Sequence, residues 1–328
     1  MITRRKFIMV FGAGAFAPFA SFAQQQDKVW RVGILVYRHV NLVDADYYYG
    51  PFTQGMRELG YVEGKNLMLE WRSAEGKVER LAELAAELVQ LKPDVIYVSG
   101  TPATLAIQKA TNTIPVVSES GDPVGSGFVK SLAKPGGNIT GVSNLNGDLG
   151  PKQMEMLQGI APKLSRVAVL SNPFNVTHAV ILKSTQIAAQ KVRINVLSFN
   201  AGNPQEIEHA FSAMSKQKVG ALIVPLDSFF QQQKNQIVEL EAKHRVPSIA
   251  AYSEYVEAGG LMSYGQNIRE NNRRAATYVV KIFKGAKPAE LPVEQPTTFE
   301  LFINRKTAKA LGLTIPYALQ ISATKFID

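Results

Sequence analysis

Two series of short apolar segments, each segment followed by residues with helical periodicity, constrain the fold more than any other feature of the chain. The first series comprises "RVGILVY" (31–37), "NLMLEW" (66–71), "DVIYVSG" (94–100) and "IPVVSES" (114–120). The second comprises "RVAVLSN" (166–172), "INVLSFN" (194–200), "GALIVPL" (220–226) and "VPSIAAY" (246–252). Between them lie segments such as 78–91, where leucine and alanine recur at three- and four-residue intervals. Apolar strands that alternate with helices predict parallel sheets covered by helices on both faces.

The two series have the same order and similar spacing, which predicts two doubly wound, Rossmann-like α/β lobes in this chain of 328 residues. The boundary is expected within 135–150, where glycine and asparagine cluster and helical periodicity lapses. Further elements follow the second series: a short strand at 259–265, a helix at 269–284 and a strand at 299–304. The chain is therefore expected to cross back between the lobes, which gives several hinge strands.

The first residues predict an exported protein. A basic triplet, 4–6, precedes an apolar run from 7 to 22, and small residues then lead to Ala23. This pattern is typical of a signal peptide over 1–23 that is cleaved near Ala23, and it places the mature chain in the periplasm. The paired arginines also fit a twin-arginine signal, with Sec export as the alternative. An uncleaved membrane anchor is the other interpretation.

Composition excludes several classes of site. The chain has no cysteine, so disulfides, thiolate metal sites and cysteine nucleophiles are excluded. The four histidines lie far apart and lack metal-ligand spacing, and no G-x-S-x-G nucleophile motif occurs. The net charge is +9, but the basic residues are scattered and form no stripe that would bind nucleic acid. The prediction is a monomeric protein without catalytic residues, metal or cofactor; an exported hydrolase is the weaker alternative.

Ligands of open parallel sheets bind outside the carboxyl ends of the strands. Two such edges that face each other would form a cleft between the lobes. The candidate ligand-binding residues are taken from these ends. In the first lobe they are Tyr37, His39, Ser99, Thr101, Pro102, Ala103 and Asp122. In the second lobe they are Asn172, Phe174, Asp227 and Tyr252.

The segment "SGTPATLAIQKAT" (99–111) indicates an anion site. Thr101 is suited to the N-cap of a helix and Pro102 to its first position. The free N–H groups of Ala103 and Thr104 would then point into the cleft, where the helix dipole favours a ligand carboxylate. A well-capped helix without a ligand is the alternative.

The segment "SESGDPVGSGF" (118–128) places three glycines around Asp122. Its glycine spacing matches neither the dinucleotide-binding nor the P-loop pattern, so a nucleotide cofactor is not expected. Asp122 follows a strand and could bind a ligand ammonium or hydroxyl group. It could equally be a turn aspartate that bonds its own backbone before Pro123.

Residues 121–144 and 273–316, together with the export signal, resemble the ABC transporter substrate-binding protein family related to the tryptophan/tyrosine uptake protein. The resemblance implies a type I periplasmic-binding-protein fold, with two lobes, three crossovers and a ligand cleft, and no catalytic activity. It implies a first lobe of 29–142 plus 266–295 and a second of 143–265 plus 296–328.

The same resemblance implies that Thr101, Pro102 and Ala103 hold a ligand carboxylate and that Asp122 faces the cleft. It implies a periplasmic receptor that closes around an amino acid or related small carboxylate, aromatic ones included, and delivers it to an ABC permease. This chain lacks the lipid-anchoring cysteine of Gram-positive relatives. A module that senses its ligand for a kinase or chemoreceptor is the alternative function.

Overall fold

The first lobe is built on a five-stranded parallel sheet. The computed structural model of the protein describes residues 28–39, 42–144 and 146–328. The strands of this sheet are β1 (Trp30–Val36), β2 (Leu67–Ser73), β3 (Val95–Ser99), β4 (Val116–Ser120) and β5 (Ile139–Ser143). They are ordered β2-β1-β3-β4-β5, and every neighbouring pair is parallel. The strand β5 lies inside the segment where helical periodicity lapses.

Helices cover both faces of the first sheet. One face carries α1 (Leu42–Glu58) and α10 (Ile268–Phe283), and the other carries α2 (Leu81–Gln90) and α3 (Thr101–Ala110). Successive side chains of a strand point to opposite faces. In β1, Ile34 accordingly packs with the α1 and α10 side chains, whereas Leu35 packs with those of α2 and α3. This arrangement explains the continuous apolar runs of the sequence.

The second lobe is built on a seven-stranded mixed sheet. Its strands are β6 (Arg166–Ser171), β7 (Asn195–Asn200), β8 (Ala221–Val224), β9 (Ser248–Ala250), β10 (Met262–Gln266), β11 (Phe299–Asn304) and β12 (Lys325–Ile327). The order is β12-β11-β10-β9-β8-β6-β7, and β11 runs antiparallel to β10, with Met262 opposite Ile303 and Gln266 opposite Phe299. The two doubly wound lobes are confirmed, but the sheet of the second lobe is not wholly parallel. The chain leaves the lobe at the end of β10 and returns at the same edge, so β11 must run in the opposite direction.

The helices associated with this sheet are α4 (Asn146–Ile160), α5 (His178–Lys191), α6 (Pro204–Lys216), α7 (Ser228–Gln232), α8 (Lys234–His244), α9 (Glu254–Glu257), α11 (Arg305–Leu311) and α12 (Tyr317–Ser322). Three of them, together with α10, begin at a residue whose side-chain oxygen accepts hydrogen bonds from first-turn N–H groups: Asn203, Asp227, Asn267 and Asn304. Such caps stabilise a helix start by about 1 kcal/mol. Local sequence therefore fixes where these helices begin.

The chain passes between the lobes three times: after β5, after β10 and just before β11. Backbone hydrogen bonds tie two of the passages together, since Ser143 donates to the Glu294 carbonyl (2.8 Å) and Glu294 donates to the Gly141 carbonyl (3.0 Å). The Nε2 of Gln266 donates to the Pro296 carbonyl (3.3 Å) and so joins the third. These three segments form the hinge; the exact lobe boundaries stay a prediction.

None of the helices in the described part of the chain is both long and apolar enough to cross a membrane. The predicted signal peptide, 1–23, lies outside the described residues.

Candidate functional site

A cavity lies between the lobes at the carboxyl ends of the strands, with an empty volume of about 500 Å³ that includes space open to solvent. The ends of β1, β3 and β4 supply Arg38, Ser99, Thr101, Pro102 and Glu119 from the first lobe. The second lobe supplies Asn175, Asp227, Ser228 and Gln231. The helix α1 adds Tyr48 and Tyr49, and the hinge side adds Asn144, Ile268 and Asn272. The cleft predicted from strand ends therefore exists.

Arg38, which follows β1, is a buried cation in the wall of this cavity. Only 6% of the residue is exposed, and its guanidinium carbon lies 3.3 Å from the centre of the Tyr48 ring. Among the side chains that the structure describes (28–39, 48–144 and 149–328), the guanidinium has no hydrogen-bond acceptor and no ion-pair partner. A buried charge is costly unless it is paired. Arg38 is therefore placed to receive an anionic group.

The start of α3 lies beside Arg38, because β1 and β3 are neighbours in the sheet. Gly100, with a φ of 97°, occupies the N-cap, so Thr101 and Pro102 lie in the first turn and the predicted cap at Thr101 is wrong. The hydroxyl of Thr101 instead accepts a hydrogen bond from the Gly121 N–H at 3.3 Å.

One of the two N–H groups predicted to be free is not free. Thr104 donates to the Gly100 carbonyl at 3.0 Å, which is the first hydrogen bond of the helix. The N–H groups of Thr101 and Ala103 have no acceptor in the described part of the chain. Together with the helix dipole, they extend the positive potential around Arg38.

Glu119 is a buried carboxyl group in the same wall and is 3% exposed. Its Oε2 accepts a hydrogen bond from the Ser99 hydroxyl (2.6 Å) and its Oε1 accepts one from Nδ2 of Asn144 (2.9 Å). Burial raises the pKa of Glu119, and these hydrogen bonds and the Arg38 charge offset part of that rise.

Side-chain hydrogen bonds connect Glu119 to the hinge. Asn144 donates a hydrogen bond to Glu119 through its Nδ2, and its Oδ1 accepts one from Nδ2 of Asn271 (3.1 Å). The same Nδ2 lies 3.3 Å from Oε1 of Gln266, and Gln266 in turn donates to the Pro296 carbonyl. This chain, which we call the hinge relay (Glu119, Asn144, Asn271, Gln266, Pro296), joins the cavity wall to all three passages between the lobes.

Asp227 dominates the second-lobe wall. Its Oδ1 accepts hydrogen bonds from the Phe229 N–H (2.9 Å) and from Nδ2 of Asn172 (3.1 Å), and its Oδ2 accepts one from Nδ2 of Asn175 (2.8 Å). The carboxylate thus caps α7 and fixes two asparagine side chains at the strand ends. Nε2 of Gln231, a buried donor one turn further along, has no acceptor among the described residues.

His178 is a buried residue that lies next to Asp227. Its Nδ1 accepts a hydrogen bond from the Asn172 N–H (2.8 Å), so the ring proton lies on Nε2, which is 3.6 Å from Oδ2 of Asp227. Burial lowers the pKa of His178, and the Asp227 charge opposes that change only in part. We therefore expect a neutral ring, whose Nε2 has no hydrogen-bond partner among the described residues.

The two lobes touch at the mouth of the cavity through glycines of the first lobe. A Cβ atom on Gly100 would lie 2.8 Å from the Ser228 hydroxyl, and one on Gly76 would lie 2.7 Å from Nε2 of Gln232. Both distances are shorter than real Cβ contacts, so a larger residue at either position must displace the Ser228 or Gln232 side chain where the lobes meet. The structure therefore represents a closed arrangement of the lobes.

Seven of the eleven predicted ligand-binding residues lie at this site. Four of them line the main cavity: Ser99, Thr101, Pro102 and Asp227. Three more line a smaller adjoining cavity, with an empty volume of about 210 Å³, that shares walls with the first: Tyr37, Asn172 and Phe174.

The other four predicted side chains are not in the cavity wall. Ala103 is fully buried in α3 and offers only its backbone, and the exposed His39 lies outside the lining. The Oδ1 of Asp122 accepts a hydrogen bond from the Gly125 N–H (2.9 Å), so this residue is the turn aspartate of the alternative interpretation. Tyr252 is two residues beyond the end of β9 and lies in the core, where its hydroxyl donates to the Phe230 carbonyl (3.1 Å).

Sequence reasoning missed several residues of the wall. Arg38 lies at the predicted strand end between Tyr37 and His39, but only its two neighbours are predicted as ligand-binding residues. Glu119 lies at the end of the apolar segment 114–120, where only Asp122 is predicted as a ligand-binding residue. Asn272 comes from α10, where its Nδ2 donates to the Tyr48 carbonyl (2.6 Å) and its Oδ1 accepts from the Tyr97 hydroxyl (2.5 Å); nothing in the sequence brings that helix to the cavity.

Comparison with known proteins identifies the family. The profile of the ABC transporter substrate binding proteins matches residues 34–327. The chain belongs to this family. A curated relative, the tyrosine-binding protein of Clostridioides difficile (strain R20291), is 28% identical over 264 residues, which cover 80% of this chain and 75% of the relative.

Two solved structures show which arrangement of the lobes this binding protein resembles. The ABC domain in complex with L-Trp from Streptococcus pneumonia is 28% identical, covers 91% of this chain and 99% of its own, and superposes with a TM-score of 0.84. A ligand-free, open substrate binding protein from Clostridium difficile is 26% identical with the same coverage, but its TM-score is 0.65. The higher score for the L-Trp complex agrees with the contacts between the lobes at the mouth of the cavity.

Proposed function

We propose that this substrate-binding protein serves an ABC importer as a monomer in the periplasm and carries no catalytic activity. In this proposal it captures a small carboxylate-bearing ligand between its lobes and delivers the ligand to a membrane permease. The ligand is an amino acid or a close relative of one, aromatic ones included. The named ligands of the two relatives, tyrosine and L-Trp, support this class.

The observation that carries the proposal is the buried Arg38, which lies next to the start of α3 and has no ion-pair partner among the described side chains. A carboxylate in the cavity could accept hydrogen bonds from the Arg38 guanidinium and from the first-turn N–H groups of Thr101 and Ala103. Arginine is suited to this task because its planar guanidinium pairs with both oxygens of a carboxylate. The predicted role of Thr101, Pro102 and Ala103 thus becomes mainly a backbone role.

The ammonium group of an amino acid would pair with Glu119. Each Glu119 oxygen accepts one hydrogen bond from the protein and so keeps a further acceptor site. An ammonium group would favour the ionised form of Glu119, against the effect of its burial. The rings of Tyr48 and Tyr49, with Ile268, provide apolar surface for the remainder of the ligand.

Binding would close the lobes through the hinge, as in other two-lobed receptors. A ligand that bridges Arg38 on one lobe and Asn175 or Gln231 on the other stabilises the closed state only. The permease would then distinguish the loaded from the empty protein by the relative position of the lobes.

Thermal melting of the purified protein against a panel of amino acids and aromatic acids tests this proposal. A true ligand at a hundred times its dissociation constant adds about 2.7 kcal/mol to the free energy of unfolding. Each ligand found is then compared with its carboxamide, which keeps the shape but lacks the charge. The proposed ligand class is wrong if no carboxylate raises the melting temperature, or if the carboxamides stabilise as well as the acids.

A further inference from the structure

A second cavity lies in the second lobe, at the opposite end of the sheet from the first. It has an empty volume of about 600 Å³, including space open to solvent, and lies between α8 and α11. Two of its residues, Ser248 and Leu261, stand where β9 and β10 begin. The cleft lies at the carboxyl ends of the strands, whereas the second cavity lies at their amino ends, so the length of the strands separates the two.

The walls of this cavity are mostly apolar. The side chains that form them are Val238, Val246, Leu261 and Leu311, with Ala242 and Ala310 at the exposed edge. Small-molecule sites are commonly cavities of this kind, with apolar walls and a few placed polar groups.

One polar group of the wall is a buried carboxyl with an unused oxygen. Glu241 is 5% exposed, and its Oε2 accepts a hydrogen bond from the Ser248 hydroxyl (2.7 Å), which itself accepts one from the Tyr255 hydroxyl (2.8 Å). Oε1 of Glu241 is buried without a partner among the described residues. A buried polar atom left without a hydrogen bond destabilises the folded protein, so a ligand that satisfies it is favoured.

A hydroxyl group is the partner that suits this oxygen best. Burial raises the pKa of Glu241, and the Ser248 hydrogen bond opposes the rise in part. A hydroxyl can accept a hydrogen bond from the neutral carboxyl and can donate one to the ionised form. An ammonium group only donates and a carboxylate only accepts, so each would suit only one of the two forms.

The mouth of the cavity is positively charged. Arg245 and Lys306 line it and are exposed, and neither forms an ion pair within the described part of the protein. Arg245, in left-handed conformation at the end of α8, is held near α11 because its Nη2 donates to the Ala310 carbonyl (3.3 Å). An anionic group of a ligand would therefore be stabilised at the outer end.

From this arrangement we infer that the second cavity is a binding site for a small hydroxyaryl carboxylic acid. The ring lies among the apolar side chains, the hydroxyl pairs with Glu241, and the carboxylate lies between Arg245 and Lys306. This inference is independent of what the cleft between the lobes binds.

The test is a titration of the full chain with 4-hydroxyphenylacetate, followed through the methyl NMR signals of leucine and valine. We expect the signals of Val246, Leu261 and Leu311 to shift with saturation, whatever happens at Leu226 in the cleft. The matched control ligand, 4-methylphenylacetate, has the same shape without the hydroxyl. It should bind about three- to tenfold more weakly, the effect of one net hydrogen bond.

Two variants localise the binding. Ala242→Phe, at an exposed edge position, fills the mouth and should abolish the shifts without affecting ligand binding in the cleft. Glu241→Leu should make the two ligands bind equally. The inference is overturned if the three methyl signals do not shift at millimolar ligand, if the shifts persist in Ala242→Phe, or if the wild type binds both ligands with equal affinity.

Discussion

Replacing Arg38 with methionine should separate ligand binding from stability. In the loaded protein the guanidinium would form a buried, hydrogen-bonded pair with the ligand carboxylate, since only 6% of Arg38 is exposed. Truncating one partner of such a pair costs about 2–5 kcal/mol. At about 1.4 kcal/mol for each factor of ten, the dissociation constant should rise by between about 30-fold and about 4,000-fold.

The unliganded protein should respond differently. Without ligand, the Arg38 charge is buried and unpaired within the described residues, so an apolar side chain of similar length removes a desolvation cost. Part of that gain is lost because the Arg38 charge also lowers the pKa of Glu119 and of Glu254. We therefore expect the free energy of unfolding of Arg38→Met, without ligand, to equal or slightly exceed that of the wild type.

Isothermal titration with the ligand from the melting panel measures the first effect, and urea unfolding without ligand measures the second. Arg38→Lys is the matched control: it keeps the charge, loses the planar two-pronged donor, and should give an intermediate affinity. Unchanged affinity in Arg38→Met, with an unliganded protein destabilised by about 2 kcal/mol or more, would mean that Arg38 is a structural residue and refute the proposed anion site.

Three further predictions concern closure, the hinge and pH. Gly100→Ala should weaken ligand binding because its Cβ would lie 2.8 Å from the Ser228 hydroxyl. The control Gly127→Ala is also at positive φ, but a Cβ there would have nothing within 4 Å, so it should lower stability alone. Equal ligand affinities of the two variants in calorimetry would contradict the importance of the Ser228 contact. Asn271→Ala removes the donor at the centre of the hinge relay. It should lower the free energy of unfolding by about 1–3 kcal/mol and should also lower the ligand affinity. A urea midpoint equal to that of the wild type would show that the relay does not stabilise the protein. Burial raises the pKa of Glu241 above its ordinary value of 4.5, so the folded state holds this proton more tightly than the unfolded state, and stability is lost as pH rises from about 4.5 through the folded pKa. Glu241→Gln should reduce that loss as pH rises above about 4.5, and identical slopes of the urea midpoint against pH in the variant and the wild type would refute it.

Much of the fold follows from sequence periodicity, because each strand and helix buries its apolar side chains against its own sheet. The strand ends then indicate where a cleft must lie, and Ser99, Thr101, Pro102 and Asp227 line it. The apolar pattern weakens in the segment 135–150 and does not predict the strand β5 there. The strand β5 is short and contains Gly141, whose Cβ would lie 2.0 Å from the Ser118 carbonyl oxygen, so glycine is required there by close approach to β4 rather than by a loop.

The remaining parts of the site depend on tertiary packing. Tyr48 and Asn272 meet at the cavity because α1 and α10 pack side by side, although more than two hundred residues separate them. Asp122 and Tyr252 were predicted from their positions after strands, but a turn hydrogen bond and core packing claim their side chains. A strand end thus identifies the edge of a site, whereas the direction of each side chain is decided by its neighbours.

The most direct test of the account is a calorimetric titration of the purified protein with the best ligand of the panel and with its carboxamide, paired with small-angle scattering of the free and loaded protein. We predict a single-site complex with the acid, a loss of at least about 30-fold in affinity for the carboxamide, and a smaller radius of gyration of the loaded protein than of an open, ligand-free form. Equal affinity for acid and carboxamide, or binding without closure, would contradict a receptor that captures a carboxylate between its lobes.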